Sequence, residues 1–575
     1  MVLASLAMLA MLATAQTECP AIDRRCSCKP THYDNRIECS ELGTVDHVPT
    51  FVSSATEFHS LSITKSAVRT IQERAFSGLR VKRLVLQNLA IQSISVDAFV
   101  GLDSAYLEEI HIDINAITVI QPGTFRNLTS LARLSFESNR LTSLHADLFR
   151  DLVSLSELYA FHNRLTRLPD DVFDGLRRLT QLKLHDNELT TINSAVFRPL
   201  VSLRRLYLQN NVLRRVDSRA FASLADLQRL DLANNLLGSD GIESSLFTGL
   251  GSLSIVELSN NNISAIDADA FSHSPMLTQI SLANNHLQYV DRRLFYNLTR
   301  LTKIDLTNNR LACLPDDIFA SQTSLRYLYL EQNDLRSITY AHLRNLTSLS
   351  YLYLSSNALE SLPADALRDL TALRGLELNE NAIYSLEPGI FTNCRQLSTF
   401  YMQNNKINRL PAGIFQNLPL LRSIFLADNH ITSLVAGMFQ DMSLLSHIQL
   451  SDNRISTVAD TAFQELPNLQ TLDLDNNYIS EVPVTALGQL PKLRNLNLDN
   501  NSLTSLPNAS FDGHQNLRRL QLSDNKIERI ESGAFNALPL LNLVDLSGNR
   551  LSTLAARLFV DAGLDGLTQL NLSSN

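Results

Sequence analysis

Tryptophan is absent from this chain, and past its first residues no stretch stays apolar for the roughly 18 positions that a membrane-spanning helix needs. Basic residues are outnumbered, 49 Lys and Arg against 58 Asp and Glu, for a net charge of −9. Phosphate recognition requires concentrated Lys and Arg, so this balance argues against nucleic acid as a partner. The imbalance is uneven, since residues 121–240 hold 16 Lys and Arg against 13 Asp and Glu and the acidity lies outside them. Neither H-E-x-x-H nor G-x-S-x-G occurs, and there is no Gly-rich loop to cradle phosphate. The 13 histidines are scattered, and His162 and His185 read as solvated strand-end residues. Together these absences point away from an enzyme, a cofactor and a metal centre.

Cysteine is also sparse, with six in 575 residues. Cys19, Cys26, Cys28 and Cys39 crowd together just after "MVLASLAMLAMLATAQ", an apolar run followed by the small-x-small pattern Ala13-Thr14-Ala15. That pattern predicts a secretory signal over residues 1–15, with Gln16 starting the mature chain. An oxidising compartment makes disulfides the natural reading of the four crowded cysteines, and the residues alone allow three pairings.

One period then organises everything that follows. L-x-L-x-x-N ends at Asn115, recurs every 24 residues to Asn235, steps 26 to Asn261, resumes its spacing to Asn549 and steps 26 again to Asn575. Two earlier units carry Ser66 and Leu89 in the Asn place, which makes about 22 repeats. Ten residues after each such position but Asn235 and the last stands Phe, or Leu at Leu343, Leu367 and Leu487; after Asn235 it is Phe247, twelve on, so 18 of the 24 phenylalanines occupy one column. In L-x-L the side chains alternate across a short strand, leucines one way and x residues the other. One strand cannot bury its leucines alone, but stacked units pair their strands in parallel and make the core continuous. Asn, with a carbonyl acceptor and an amide donor, satisfies backbone groups where the chain leaves each strand. The Phe column fills the wider, convex side.

The stretch "LSELYAFHNRLTRLPDDVF", Leu155 to Phe173, resembles the repeat of the extracellular, typical-subclass leucine-rich repeat family, and the cluster from Cys19 resembles that family's N-terminal cysteine cap. The resemblance implies an α/β solenoid, a horseshoe with a parallel concave sheet and a mostly irregular or 3-10 convex side. It implies a cap over residues 16–57, pairing Cys19 with Cys28 and Cys26 with Cys39, and a solenoid over 58–575. The chain stops at the Asn of a repeat, with no C-terminal cysteine cap, so continuation beyond Asn575 is expected. Cys394 takes the Leu slot of F-x-x-L as a small hydrophobe. Cys313 follows a strand three repeats earlier, about 14 Å away at about 4.8 Å per strand, too far for a disulfide.

Three features stand out as candidate sites. Asp452, Asp473, Asp475, Asp499 and Asp524 are read as outward strand residues of consecutive repeats, a hydrated acidic face in the first instance and otherwise a draw for Ca2+ or a basic partner. Seven N-x-S/T sites occur, at Asn127, Asn262, Asn297, Asn345, Asn500, Asn508 and Asn571. Of these Asn127, Asn297 and Asn345 share the form N-L-T on the convex return, clear of the concave sheet. The x positions of "LRYLYLEQNDL" and "LSYLYLSSNAL" place Tyr327, Tyr329, Tyr351 and Tyr353 on the concave face, with Tyr401 and Phe425 further along the same column. Tyr159, Phe161 and Tyr207 form a smaller group earlier, and the Arg-rich segment near Arg205 and Arg229 is the alternative site. Six aromatics within five repeats have the composition of a binding hot spot.

The chain is thus expected to be a secreted or cell-surface recognition solenoid, of the kind represented by Toll-type receptor ectodomains, slit-like guidance proteins and acid-labile carrier subunits. Its expected partner is a protein ligand held by Tyr327, Tyr329, Tyr351, Tyr353, Tyr401 and Phe425, with no direct membrane insertion. The alternatives are an adhesive or matrix protein making homophilic contacts and a regulatory or carrier subunit of a secreted complex.

Overall fold

The computed structural model describes residues 26–30, 35–40, 44–45, 57–238, 242–555, 558–564 and 566–575. The expected leader over 1–15 and the Cys19–Cys28 pairing lie outside the described residues. Two compact units divide the chain, Met1–Asn285 and His286–Asn575.

In the first unit, strand Cys26–Pro30 pairs antiparallel with Asn35–Ser40, and a disulfide joins Cys26 to Cys39 across that pair, as the resemblance implied. Asn35–Ser40 then runs parallel to Glu57–Thr64, so the cap lays its own strand against the first repeat. Ile37 and Cys39 are buried there, covering leucines that an open end would expose to water. Ten repeat strands follow in a parallel ladder, from Glu57–Thr64 to Gln279–Ser281. The second unit has twelve, from Lys303–Asp305 to Gln569–Asn571, each in register with the strand one repeat on. That makes 22 repeat strands among the described residues, the number the period predicts.

Each repeat strand is three residues long past the first two, because the pattern allows only one L-x-L before the chain turns. The leucines of that motif, such as Leu328 and Leu330, are fully buried. Each such burial is worth roughly 1.5 to 3 kcal/mol, and repetition along the stack makes this the dominant stabilising term. The turn is closed as the Asn chemistry predicts. Asn357 accepts from the Leu335 amide at 3.0 Å and donates to the carbonyls of Leu330 and Leu354 at 2.9 and 3.1 Å, so one side chain ties its own repeat to the preceding one. The same set recurs in the first unit at Asn163.

The residue just before each ladder Asn lies in the left-handed region, for example Asn404 at φ 56° and Asp428 at φ 52°. Asn and Asp tolerate that conformation better than other non-glycine residues, which accounts for their frequency there. On the other side, the phenylalanines stack in rows, Phe149 on Phe173 and Phe173 on Phe197 in the first unit, Phe415 on Phe439 and Phe439 on Phe463 in the second. The connecting segments are turns, with two-residue strand pairs such as Thr191–Ile192 on Arg215–Val216, single helical turns at Tyr340–Leu343, Val484–Leu487 and Leu558–Asp561, and no 3-10 helix among the described residues. Cys394 fills its Leu slot fully buried, and burial pushes its thiol up to about 12. Cys313 is exposed, and both thiols are free.

Candidate ligand-binding face

The strand Tyr327–Tyr329 lies beside Tyr351–Tyr353, pairing Tyr327 with Tyr351 and Tyr329 with Tyr353. Leucines at 328 and 352 point inward, so all four tyrosines stand on the open face of the sheet. Their rings are parallel. Tyr327 and Tyr351 stack with centroids 5.4 Å apart, Tyr329 and Tyr353 at 4.6 Å. Stacking covers part of each ring, so that Tyr327 is 38% exposed and the other three are half-buried. Burial raises the Tyr329 hydroxyl above its ordinary value and pushes that of Tyr353 up to about 12.

Gly375 makes this arrangement possible. A side-chain carbon added there would sit 2.7 Å from Cδ1 of Tyr351, so the ring leans into space that any other residue would fill. Two strands further along, Tyr401 pairs with Phe425 and their rings stack at 4.7 Å. The six sequence-predicted aromatics therefore form two groups, a tetrad and a pair, with strand Gly375–Glu377 between them.

Polar groups frame both groups, and a search for aromatics alone misses them. Lys303 holds its ammonium 4.9 Å over the Tyr329 ring and 3.4 Å from Asp305. Thr307 donates to Glu331 at 3.0 Å. Glu331 and Glu377 are both raised above the ordinary carboxylate range, chiefly by burial. The signal that finds them is the alignment of the x residues of every repeat as columns, which sets Lys303, Gly375 and Glu377 beside the tyrosines.

The smaller aromatic group in the first unit is built differently. Tyr159 donates its hydroxyl to Glu157 and accepts from Gln181 Nε2 at 3.0 Å. Lys183 lies 4.3 Å over the Tyr159 ring and 5.6 Å from that of Phe161. Phe161 stacks on His185 at 4.4 Å, and His185 Nδ1 lies 2.6 Å from Asp186. His162 lies 3.6 Å from the same Asp186 with its side chain exposed, the solvated position expected of it, whereas His185 is half-buried in the network. Arg205 meets Gln181 at 3.4 Å, while Arg229 pairs with Asp231 at 3.1 Å and lies over the Tyr207 ring.

The acidic group needs correction. Asp473 ends its strand, but Asp475 and Asp499 lie beyond theirs, and Asp452 and Asp524 occupy left-handed turn positions at φ 54° and 51°. Alternation runs on through Leu474 to Asp475 and through Leu498 to Asp499 and stops at the left-handed turn, so the five fall in three columns and do not form one row. Asp499 accepts from the Ser523 amide and from Gln521, leaving it engaged in the turn. Among the described residues no three His, Cys, Asp or Glu side chains gather closely enough to hold a metal ion. Nor is any described helix long and apolar enough to cross a membrane. Asn127, Asn297 and Asn345 are exposed at one recurring left-handed turn of the return segment.

The leucine rich repeat family matches the chain in successive, mostly overlapping segments that run from residue 105 to residue 575, and the chain belongs to that family. The match begins where the asparagine column begins, after the two units with Ser66 and Leu89 in its place. No curated protein matches the chain. Among solved structures, that of the Toll–Spatzle complex from Drosophila is similar over 92% of this chain and 93% of its own, at 19% identity and a TM-score of 0.58. A TDR receptor is similar over 90% and 89%, at 24% identity and a TM-score of 0.62. The plant peptide hormone receptor RGFR1, in complex with RGF2, is similar over 95% and 94%, at 20% identity and a TM-score of 0.56. At these identities the likeness is one of fold.

Proposed function

We propose that this leucine-rich repeat chain is a non-catalytic recognition module, a receptor ectodomain or secreted binding protein, that holds a protein ligand on its concave face. The observation that carries this reading is the stacked tyrosine tetrad. Among the described residues no hydrogen bond ties the hydroxyls of Tyr327, Tyr329, Tyr351 and Tyr353, so four phenols keep a donor and an acceptor for a partner. Rigid aromatic surface with open polar tips is the composition found at binding hot spots. The Toll–Spatzle complex and RGFR1 with RGF2 add support by analogy, since those solenoids were solved with a partner. We place the chain on the extracellular side, where the leader, the cysteine cap and N-linked glycans at Asn127, Asn297 and Asn345 are mutually consistent.

The test is a binding screen of the purified chain against a panel of secreted proteins, followed by the double variant Tyr329→Ser with Tyr353→Ser. The expected result is a loss of at least tenfold in affinity for the captured ligand with a single cooperative unfolding transition that shows the fold intact. Undiminished affinity would move the site off these strands. Capture of the chain by itself alone would favour the adhesive reading instead.

A further inference from the structure

Along one column of the second unit's open face stand Asp305, Tyr329, Tyr353 and Glu377, so a pair of stacked rings has a carboxylate at each end. At the first end the arrangement is complete. Lys303, on the same strand as Asp305, places its ammonium over the Tyr329 ring at 4.9 Å and beside the Asp305 carboxylate at 3.4 Å. Ring, cation and carboxylate satisfy one another within the chain.

At the other end the cation is missing. The residue that corresponds to Lys303 on the strand of Glu377 is Gly375, which has no side chain. Among the described residues no Lys, Arg or His pairs with Glu377, and none lies over the Tyr353 or Tyr401 ring. Beyond Glu377 stands a second aromatic wall, Tyr401 on Phe425. Neighbouring strands are about 4.8 Å apart, so Tyr353 and Tyr401 stand roughly 9.6 Å apart, and a cation midway lies within the ~6 Å reach of both rings.

We propose that the gap over Glu377, walled by Tyr353 and Tyr401, receives one arginine side chain of the protein ligand. The proposal rests on the tyrosine face being the ligand platform and specifies what that platform reads. Arginine fits better than lysine, because its planar guanidinium stacks between aromatic faces and meets a carboxylate with two parallel hydrogen bonds. Burial holds the Glu377 carboxyl above its ordinary value, so its negative charge is costly where it stands. An arriving cation relieves that cost, and neutral or acidic side chains do not.

The experiment pans a random dodecapeptide display library against the full chain, then measures the selected peptides against wild type, Glu377→Gln and the Tyr329→Ser, Tyr353→Ser double variant, each checked for a cooperative melting transition. The expected outcome is that selected peptides share an arginine. Replacing it with neutral citrulline weakens binding to wild type at least tenfold and to Glu377→Gln no more than twofold. Peptides that lose affinity for the double variant yet ignore both citrulline and Glu377→Gln would overturn the arginine site while leaving the platform intact. Peptides indifferent to the double variant, or no binders at all, would remove the platform and this inference with it.

Discussion

Both units carry tyrosine and phenylalanine on the open face of a parallel sheet, yet the two groups are engaged in opposite ways. In the first unit Tyr159 has its hydroxyl bound by Glu157 and Gln181 and its ring covered by Lys183, and Phe161 is capped by His185, itself held to Asp186. That surface answers its own needs. In the second unit tyrosine stacks on tyrosine, the hydroxyls have no partner among the described residues, and Glu377 stands without a cation. An aromatic residue on a sheet is therefore not in itself a sign of binding; what matters is whether its neighbours have already used its polar valences.

The sharpest way to break this contrast is to delete each group in turn. Tyr159→Ser with Phe161→Ser should lower unfolding free energy by about 2 kcal/mol, since it strips a network of ring stacking and hydrogen bonds, and should leave ligand affinity within twofold. The serine pair at Tyr329 and Tyr353, which strips stacking but no hydrogen bond, should cost less stability and lower ligand affinity at least tenfold. Chemical denaturation together with titration of the captured ligand measures both, and equal stability losses would erase the distinction between the two groups.

A finer version removes only a hydroxyl. Tyr159→Phe leaves Gln181 and Glu157 without their shared partner and should cost about 1 kcal/mol, whereas Tyr353→Phe, which breaks no bond within the chain, should leave the melting temperature unchanged. A destabilised Tyr353→Phe would show that the tetrad is internally bonded after all.

Acid separates the units more gently. His185 is held below its ordinary value of 6.5 by burial, so folding favours its neutral form. Its contribution is complete above that pH and is lost as the pH falls. Asp475 is pushed up to about 6 by burial and by the charges of Asp452, Asp473 and Asp499, so its contribution is complete below its ordinary value of 3.8 and is lost as the pH rises through about 6. Between pH 7 and 5, amide-exchange protection should fall around His185 and rise around Asp475, each by about 1 kcal/mol or less given their solvent screening. His185→Phe and Asp475→Asn should flatten the respective responses. Protection changing in the same direction at both places would contradict the assignment.

Much of this is legible in the residues themselves. The 24-residue period, the asparagine ladder and the face on which Tyr327, Tyr329, Tyr351 and Tyr353 stand all follow from residue types at fixed offsets, and the fold carries each of them. The acidic group departs from its expected row because alternation ends at a left-handed turn that the L-x-L pattern does not describe, and Asp452 and Asp524 belong to that turn. Glu377 and Gly375 escape notice in the sequence because neither is conspicuous alone, and Gly375 gains its meaning only from the Tyr351 ring that leans over it.

The division has a physical basis. Which way a side chain points from a strand is a local property of backbone dihedrals with a period of two, so the sequence by itself determined the core, the ladder and the aromatic face. What a side chain touches depends on the residue one repeat away and on how both rings tilt, and these are settled only when strands stack in register. That is why the tertiary structure alone decided that Tyr159 is tethered, that the Tyr353 hydroxyl is open, and that Lys303 completes one end of the tyrosine stack while Glu377 leaves the other open.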